Sequence, residues 1–591
     1  MIKKLTIVVD DKRIKRYDAD RILTAESSFK YIDKDKLRED YINFIGKLNK
    51  KYHSVMWWAG SISSKNQYVS QLFKNICFYI EIIETLKHST NDSIIVGVNN
   101  EHLIKQLKKF CKEYKIAYTI KGKSLNGMVQ PFFILLTYLL KSGFGILFEW
   151  SKKYRAEKKI GKHIIKNLYA KEPQYVIRTW IDSRSFKVDG QFKDIVFGSL
   201  LDYIQNKKNM LIVGEILSEF EENLDKIEYN NLHYRTQVVP LSFFIGYLDY
   251  LKVFLSQLSV FFDLNKKINV SKNFIFHRHN IYFLIKQEVI KNLSDGEYYT
   301  NLLHYSAAKN IGEKLNCEYC TFPYENHSWE KLTILALKKY SPTTFIIGYQ
   351  HSSISKVLFN YFLSKDEQKI NPLPDRIITV GTEPKKIMDK YGNFPSNILY
   401  EGCGFRVEHI IGKRILPRKK TRKILVPLSI SPDNSHVLLK FLSRALGNNV
   451  SFSVLIKCHP EMSIKTLMAK GNFNLPSNFE IVTDKSTRKL LETTADVVLY
   501  ADTTVCMEAL LLGIPVVFID INKYYNEDRL FGWDVFKWSV KNEKELITSI
   551  NEIYKMDDIE FARKQILSRE YVETYFLPVT EERMKKFVET K

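Results

Sequence analysis

From residue 424 onward the sequence alternates short β-branched runs with helix-length amphipathic segments. Strands are expected at 424–427, 453–457, 480–482, 496–500 and 516–519, with helices at 436–446, 487–493 and 505–512 between them. Runs this short, separated by segments long enough to cross a sheet face, point to parallel strands covered by helices. Such a doubly wound sheet binds its ligands at the carboxyl ends of its strands, so chemistry is sought in the residues that follow each strand. The same alternation occurs earlier, with strands expected at 5–9, 54–58, 94–98, 175–181, 209–213, 344–349, 376–380 and 397–400.

At 591 residues the chain is too long for one hydrophobic core. The expected fold class is α/β: two Rossmann-like doubly wound domains facing each other across a cleft, with a helical insertion. The boundaries are an N-terminal domain at 1–410, a linker at 411–423 marked by the basic run KRILPRKKTRK, a C-terminal domain at 424–545, and helices at 546–591 that pack back on the N-terminal domain. The insertion lies near 125–172. Its stretch 129–148 (VQPFFILLTYLLKSGFGILF) is as long as a bilayer crossing but contains Pro131, Lys141 and Gly143. Residues 152–172 carry eight Lys/Arg against two Glu. Two readings stand: an interfacial hairpin on an anionic membrane, or a buried helical pair with a solvated basic face. The aromatic stretch 241–264 has the same two readings.

Lys and Arg outnumber Asp and Glu by 89 to 66, a net charge of +23, which favours anionic partners. No zinc-finger spacing or ribonucleoprotein motif is present, so nucleic acid is not expected among them. The seven cysteines are scattered and odd in number, which fits a reducing cytoplasm. Cys317 and Cys320 have metal-site spacing without a second ligand pair, so they read as core thiols and no metal is assigned.

The most specific local signal is the run Ala495 to Val517, in which a strand ends at Ala501-Asp502-Thr503-Thr504 and a helix begins. The hydroxyls and free N–H groups of that first turn, with the positive end of the helix dipole, suit a phosphate. Glu508 follows Thr504 by four residues, off the capping-box spacing, and is free to reach a ligand. Gly513 and Pro515 end the helix. Upstream, Lys457-Cys458-His459-Pro460 follows a strand, and Pro460 biases His459 to an extended conformation in the loop.

The 495–517 segment resembles the nucleotide-sugar signature of GT-B glycosyltransferases, which implies that Glu508 holds ribose hydroxyls and the helix start faces the donor phosphates. His459-Pro460 resembles the His-Pro motif of bacterial polysialyltransferases and capsule transferases, whose Ser-Ser/Thr partner motif would here be Thr503-Thr504. In the N-terminal half, 178–186 (RTWIDSRSF), 192–198 (FKDIVFG), 324–330 (YENHSWE) and 348–353 (GYQHSS) resemble surface-carbohydrate (O-antigen-type) biosynthesis proteins. The resemblance implies a glycosyltransferase that moves a sugar from a nucleotide-activated donor, CMP-sugar favoured over UDP-sugar, to a lipid-linked surface glycan of O-antigen or capsule type. With the cysteine usage and the interfacial reading of 129–172 and 241–264, the enzyme is expected in the cytoplasm, peripheral on the inner face of the cytoplasmic membrane.

Inverting transfer needs a base for the acceptor hydroxyl and cations or dipoles for the departing phosphate. Glu325, His327 and Asp182 are the candidate bases, Glu325 first; a dipole-satisfying carboxylate at a helix start is the alternative role for Glu325. Lys457, His459, Thr503, Thr504, Glu508 and Arg406 are the donor-side candidates, Arg406 suiting a phosphate. Gln350 and His351 are further cleft residues. The nucleotide-sugar is a substrate, no cofactor is expected, and helix dipole and basic residues take the place of a metal ion. A teichoic-acid-like glycerophosphotransferase, a non-hydrolysing UDP-GlcNAc-type epimerase and a non-catalytic nucleotide-sugar- or glycan-binding scaffold are the alternatives.

Overall fold

The computed structural model describes residues 4–9, 22–23, 30–89, 93–122, 143–160, 174–271, 274–294, 296–447, 449, 451–460, 462, 467, 474–521 and 526–589, with the side chains of 260–271 and 292–294 left undescribed. Among these residues three parallel sheets form, beside a short antiparallel pair at Ile275–Phe276 and His279–Asn280.

The C-terminal sheet is built in chain order from Lys423–Pro427, Ser453–Lys457, Phe479–Ile481, Val497–Tyr500, Val516–Ile519 and Lys537–Val540, and its spatial order is 3-2-1-4-5-6. This is the doubly wound Rossmann arrangement. The central sheet uses Gln174–Ile181, Asn209–Ile216, Gln237–Pro240, Cys317–Pro323, Phe345–Gln350, Arg376–Thr379 and Leu399–Glu401 in the same order, 3-2-1-4-5-6, with a seventh strand at the edge. In both sheets the order reverses between the first and fourth strands. The strand interiors are apolar because helices cover both faces: Val497, Val498, Leu499 and Tyr500 are all fully buried.

A third sheet, of Lys4–Val8, Ile22–Leu23, Ser93–Gly97 and Ala117–Lys121, stands apart at the N-terminus. The segment expected as one domain, 1–410, thus carries two sheets. Between them, the helices Lys34–Tyr52 and Leu72–His88 lean on the 355–367 loop of the central half. Tyr41 and Phe73 pack on Phe359 with ring centroids 5.9 and 4.8 Å away.

The strand expected at 54–58 is instead a helix, Val55–Trp58. The apolar run Val-Met-Trp-Trp suits either structure, and Ser54 decides it locally: its hydroxyl accepts the Trp57 N–H at 3.2 Å and starts a turn. The residues of 129–148 before 143, and those of 152–172 after 160, lie outside the described residues. No helix among the described residues is long and apolar enough to cross a membrane. The 241–264 stretch forms a short 3-10 turn, Leu241–Phe244, and the start of the helix Tyr247–Ser271.

After the helix Asp558–Tyr575 the chain returns to the central sheet. Leu577 exchanges backbone hydrogen bonds with Val380 and Gly404, at 3.0 and 2.9 Å. The Tyr175 and Tyr319 hydroxyls donate to the carbonyls of Phe587 and Val588 at 2.8 and 3.0 Å. The crossing is tight at Gly381, where a Cβ would lie 2.2 Å from the Tyr575 carbonyl oxygen.

Candidate active site

In the central sheet the reversal of strand order falls between Gln174–Ile181 and Cys317–Pro323, whose carboxyl ends lead into Asp182 and into the loop Tyr324-Glu325-Asn326-His327. In the C-terminal sheet it falls between Lys423–Pro427 and Val497–Tyr500, which lead into Ser429–Ser431 and into Asp502-Thr503-Thr504. These are the positions where doubly wound sheets open a crevice.

Glu325 and His327 face each other: His327 Nε2 lies 2.7 Å from Glu325 Oε2. Asn326 between them is buried with φ of 62°. A left-handed residue with a side chain is uncommon and must be held. Here Asn326 Nδ2 donates to the Asn360 carbonyl at 2.7 Å, and its Oδ1 accepts from Asn371 Nδ2 at 3.0 Å. Glu330 takes the accepting role at the start of the helix Ser328–Tyr340, receiving the N–H groups of Glu325 at 2.9 Å and His327 at 3.2 Å. Glu325 is thereby left to His327, not to the helix dipole.

Electrostatics separates these groups. Burial would raise the Glu325 carboxyl, but His327, with His351 and Ser352 behind it, outweighs that and holds it well below the usual carboxylate range. Burial lowers the proton affinity of His327 while Glu325 raises it, and the balance lies above the ordinary imidazole value. Glu330 is fully buried, and burial pushes it up to about 8. His351 Nε2 stands 3.9 Å from Glu325 Oε1, its ring 5.7 Å from that of Trp180, and burial takes it down to about 4.

Asp182 is tied to its own loop: both carboxylate oxygens engage Arg184, which also donates its backbone N–H at 2.8 Å. Burial raises this carboxyl, but the Arg184 bonds outweigh it and leave it below its usual range. Gln350 is fully buried and spent on backbone, donating to the Ser352 carbonyl and accepting the Val380 N–H at 3.3 Å. Lys457 Nζ donates to the Val482 carbonyl at 3.1 Å.

Across the crevice, Thr504 is the N-cap of the helix Val505–Leu511 without making a side-chain cap bond, while Thr503 Oγ1 accepts the Val505 N–H at 3.3 Å. Gly513 follows the helix with φ of 79°, the left-handed conformation that ends it. Arg406, exposed at the tip of the turn Phe405–Val407, joins the two halves electrostatically. After burial, which raises the Glu508 carboxyl and lowers the His459 and His351 rings, Arg406 lowers the proton affinity of all three. Arg184 acts on His459 in the same sense.

Several participants escape sequence reasoning. Asn434 Nδ2 donates to both Asp502 Oδ2 at 3.1 Å and Glu527 Oε2 at 3.0 Å. Burial raises both carboxyls, and beside Asp502 the Glu527 carboxyl reaches about 8. Arg529 donates to the Ser353 carbonyl of the central half at 3.1 Å and to the Tyr68 hydroxyl at 3.3 Å. Asn66 Nδ2 lies 3.3 Å from His327 Nδ1. Asp502 stands inside the recognisable strand–helix run. Arg529 sits in the polar loop Asn-Glu-Asp-Arg, where nothing in the spacing separates it from solvated charge.

No protein-family model matches the chain, and no curated protein matches it. Among solved structures it is similar to a UDP-N-acetylglucosamine 2-epimerase from Rickettsia bellii, at 11% identity over 68% of this chain and 96% of that one, with a TM-score of 0.41. It is also similar to Anabaena Alr3699/HepE in complex with UDP-glucose, at 10% identity over 70% and 98%, TM-score 0.39. A third is the glycosyltransferase SnogD from Streptomyces nogalater, at 13% identity over 71% and 99%, TM-score 0.38. At these scores the likenesses assign no activity.

Proposed function

We propose that the chain is a glycosyltransferase of GT-B type that transfers a sugar from a nucleotide-activated donor, CMP-sugar favoured over UDP-sugar, to a lipid-linked surface glycan. The observation that carries this reading is the coincidence of two crevices. Each doubly wound sheet reverses its strand order where candidate chemistry sits, the Glu325–His327 pair in one and the Thr503-Thr504 helix start in the other, with Arg406 acting on His351 beside the first and on His459 and Glu508 in the C-terminal half. The donor phosphates would face the helix start, Arg406 and His459, with Glu508 on the ribose. The Glu325–His327 pair would receive the acceptor proton. No step calls for a metal.

A lipid-linked acceptor finds support on the outer side of the central half. Trp150 Nε1 donates to the Tyr247 carbonyl at 3.2 Å and joins helix 143–160 to the helix Tyr247–Ser271. Both expose large apolar side chains: Phe144 is 74% exposed, Leu147 60%, Leu248 66% and Leu255 54%. Such faces suit the inner surface of the cytoplasmic membrane.

The test is release of free nucleotide from CMP-, UDP- and GDP-sugars and from CDP-glycerol, with and without a glycolipid extract. The reading expects release from one nucleotide-sugar, stimulated by the extract and lost in Glu325→Gln. Release from CDP-glycerol alone would instead identify a glycerophosphotransferase, and binding without release a scaffold.

A further inference from the structure

The loop that precedes the helix Leu72–His88 brings Asn66 against the Glu325–His327 pair from 261 residues away in sequence. Its amide orientation is fixed from the other side, because Asn66 Oδ1 accepts the Tyr68 backbone N–H at 3.0 Å. The atom facing His327 Nδ1 at 3.3 Å is therefore Nδ2, a donor. A donor needs an acceptor opposite, so Nδ1 carries no proton and the single proton of the neutral ring sits on Nε2, donated to Glu325 Oε2 at 2.7 Å. The other tautomer would set two donors face to face at Nδ1 and two acceptors face to face at Nε2. The imidazolium, which the neighbouring carboxylates favour, would keep the Glu325 contact but oppose N–H to N–H at Asn66, and it is this donor-to-donor contact that sets the ring's state.

The position of Asn66 is itself fixed. Lys65 before it is fully buried, left-handed at φ of 58°, and locked to the equally buried Glu367 at 2.5 Å. The Asn66 backbone N–H donates to Ser64 Oγ at 3.4 Å, and Asn66 is only 9% exposed. The charged and titratable groups that act on the His327 ring are Glu325, Glu330 and Glu297, and the nearby His351 in turn feels His327.

We infer that Asn66 is a positioning residue that, beside the Glu330 backbone N–H that also caps the His327 side chain, holds His327 as the neutral Nε2–H tautomer, and so makes Glu325, not His327, the base. The assignment of a base rests on the transfer reading; the state of the ring does not. Opposite a neutral N–H donor the Glu325 carboxylate is a stronger base than it would be opposite a full imidazolium charge. With Oε2 occupied by His327, Oε1, which His351 Nε2 approaches to 3.9 Å, is the oxygen that would take the acceptor proton. In the step, the acceptor oxygen forms its bond to the anomeric carbon while its proton passes to Glu325 Oε1. The bond from the anomeric carbon to the donor phosphate breaks, and its electron pair leaves with the nucleotide.

The experiment is NMR of the full-length protein labelled with nitrogen-15 in its histidine rings, with His327→Gln to assign the signals. At neutral pH the wild-type ring is expected to show a protonated Nε2 and a bare Nδ1. In Asn66→Asp, whose carboxylate accepts at the same place, Nδ1 is expected to gain a proton, and kcat to fall about tenfold or more with KM nearly unchanged. A wild-type His327 protonated on Nδ1, alone or as the imidazolium, would overturn the inference. So would a folded Asn66→Asp protein with an unaltered ring. A chain that turns over no nucleotide-sugar yet shows the bare Nδ1 would remove the transfer reading and leave Asn66's control of the ring standing.

Discussion

Glu325 and Glu330 lie five residues apart, the first part-buried and the second fully buried, and their protons behave in opposite ways. Burial penalises the Glu330 charge and pushes its carboxyl up to about 8, from an ordinary value of 4.5. Between those values the native state binds more protons than the unfolded chain, so this group makes stability fall as pH rises. Glu527, also pushed up to about 8, acts in the same sense. Lys331, brought down by burial from 10.5 to about 7, does the reverse: above 7 the native state binds fewer protons and stability rises with pH. Melting curves across pH should therefore show a fall from weakly acid to neutral conditions, shallower in Glu330→Gln, and a recovery on the alkaline side that Lys331→Met removes. For activity, Glu325→Gln is expected to lose about 10²–10⁴-fold in turnover, measured as nucleotide release, with folding intact. Glu367→Gln would leave Lys65 buried without its counter-charge, a loss of about 3–5 kcal/mol measurable by denaturant melting. As positions that follow a strand, Asp182 could be singled out in the sequence after the β-rich run 175–181, and Glu325 and His327 between the cysteine-bearing run 317–323 and a helix start. Asn66 was not, since its meaning lies in a contact that no local pattern encodes.

At the level of elements, the C-terminal half reads from sequence almost residue for residue. The strand expected at 453–457 is Ser453–Lys457, the helix expected at 487–493 is Thr487–Thr493, and the strand at 516–519 is Val516–Ile519. Each is a short apolar run between clear breaks, so period and punctuation agree. The 54–58 segment fails for the opposite reason. Its two tryptophans are buried against other elements whichever way the chain turns, and a single cap at Ser54 selects the helix. Short edge strands such as Gln237–Pro240 and Lys537–Val540 carry too few residues to stand out. The C-terminal return depends on close backbone approach more than on side chains. Gly381→Ala should push the Tyr575 carbonyl away from the central sheet and cost about 1–3 kcal/mol, visible as a lower melting temperature and earlier proteolysis of the last helices.

For the whole molecule, two sheets of one strand order are tied twice, through the segment around Arg406 and through the returning helices, and Arg529 bridges them across the crevice. This places the carboxyl ends of both sheets around a common space, with the Glu325–His327 pair on one side and the helix start at Thr503-Thr504, the proposed phosphate site, on the other. The N-terminal sheet and its helices extend this plan, bringing Asn66 and Tyr68 to the same place. The account stands or falls on whether a nucleotide binds there. The direct measurement is the melting temperature of the full-length protein with CMP, CDP, UDP or GDP, repeated for the stabilising nucleotide with His459→Ala and Glu508→Ala. A ligand that binds only the native state, present at a hundred times its Kd, adds about 2.7 kcal/mol. The account predicts a rise with one nucleotide, CMP first, that both substitutions abolish. A folded protein that no nucleotide stabilises, or one stabilised equally in both variants, would contradict it.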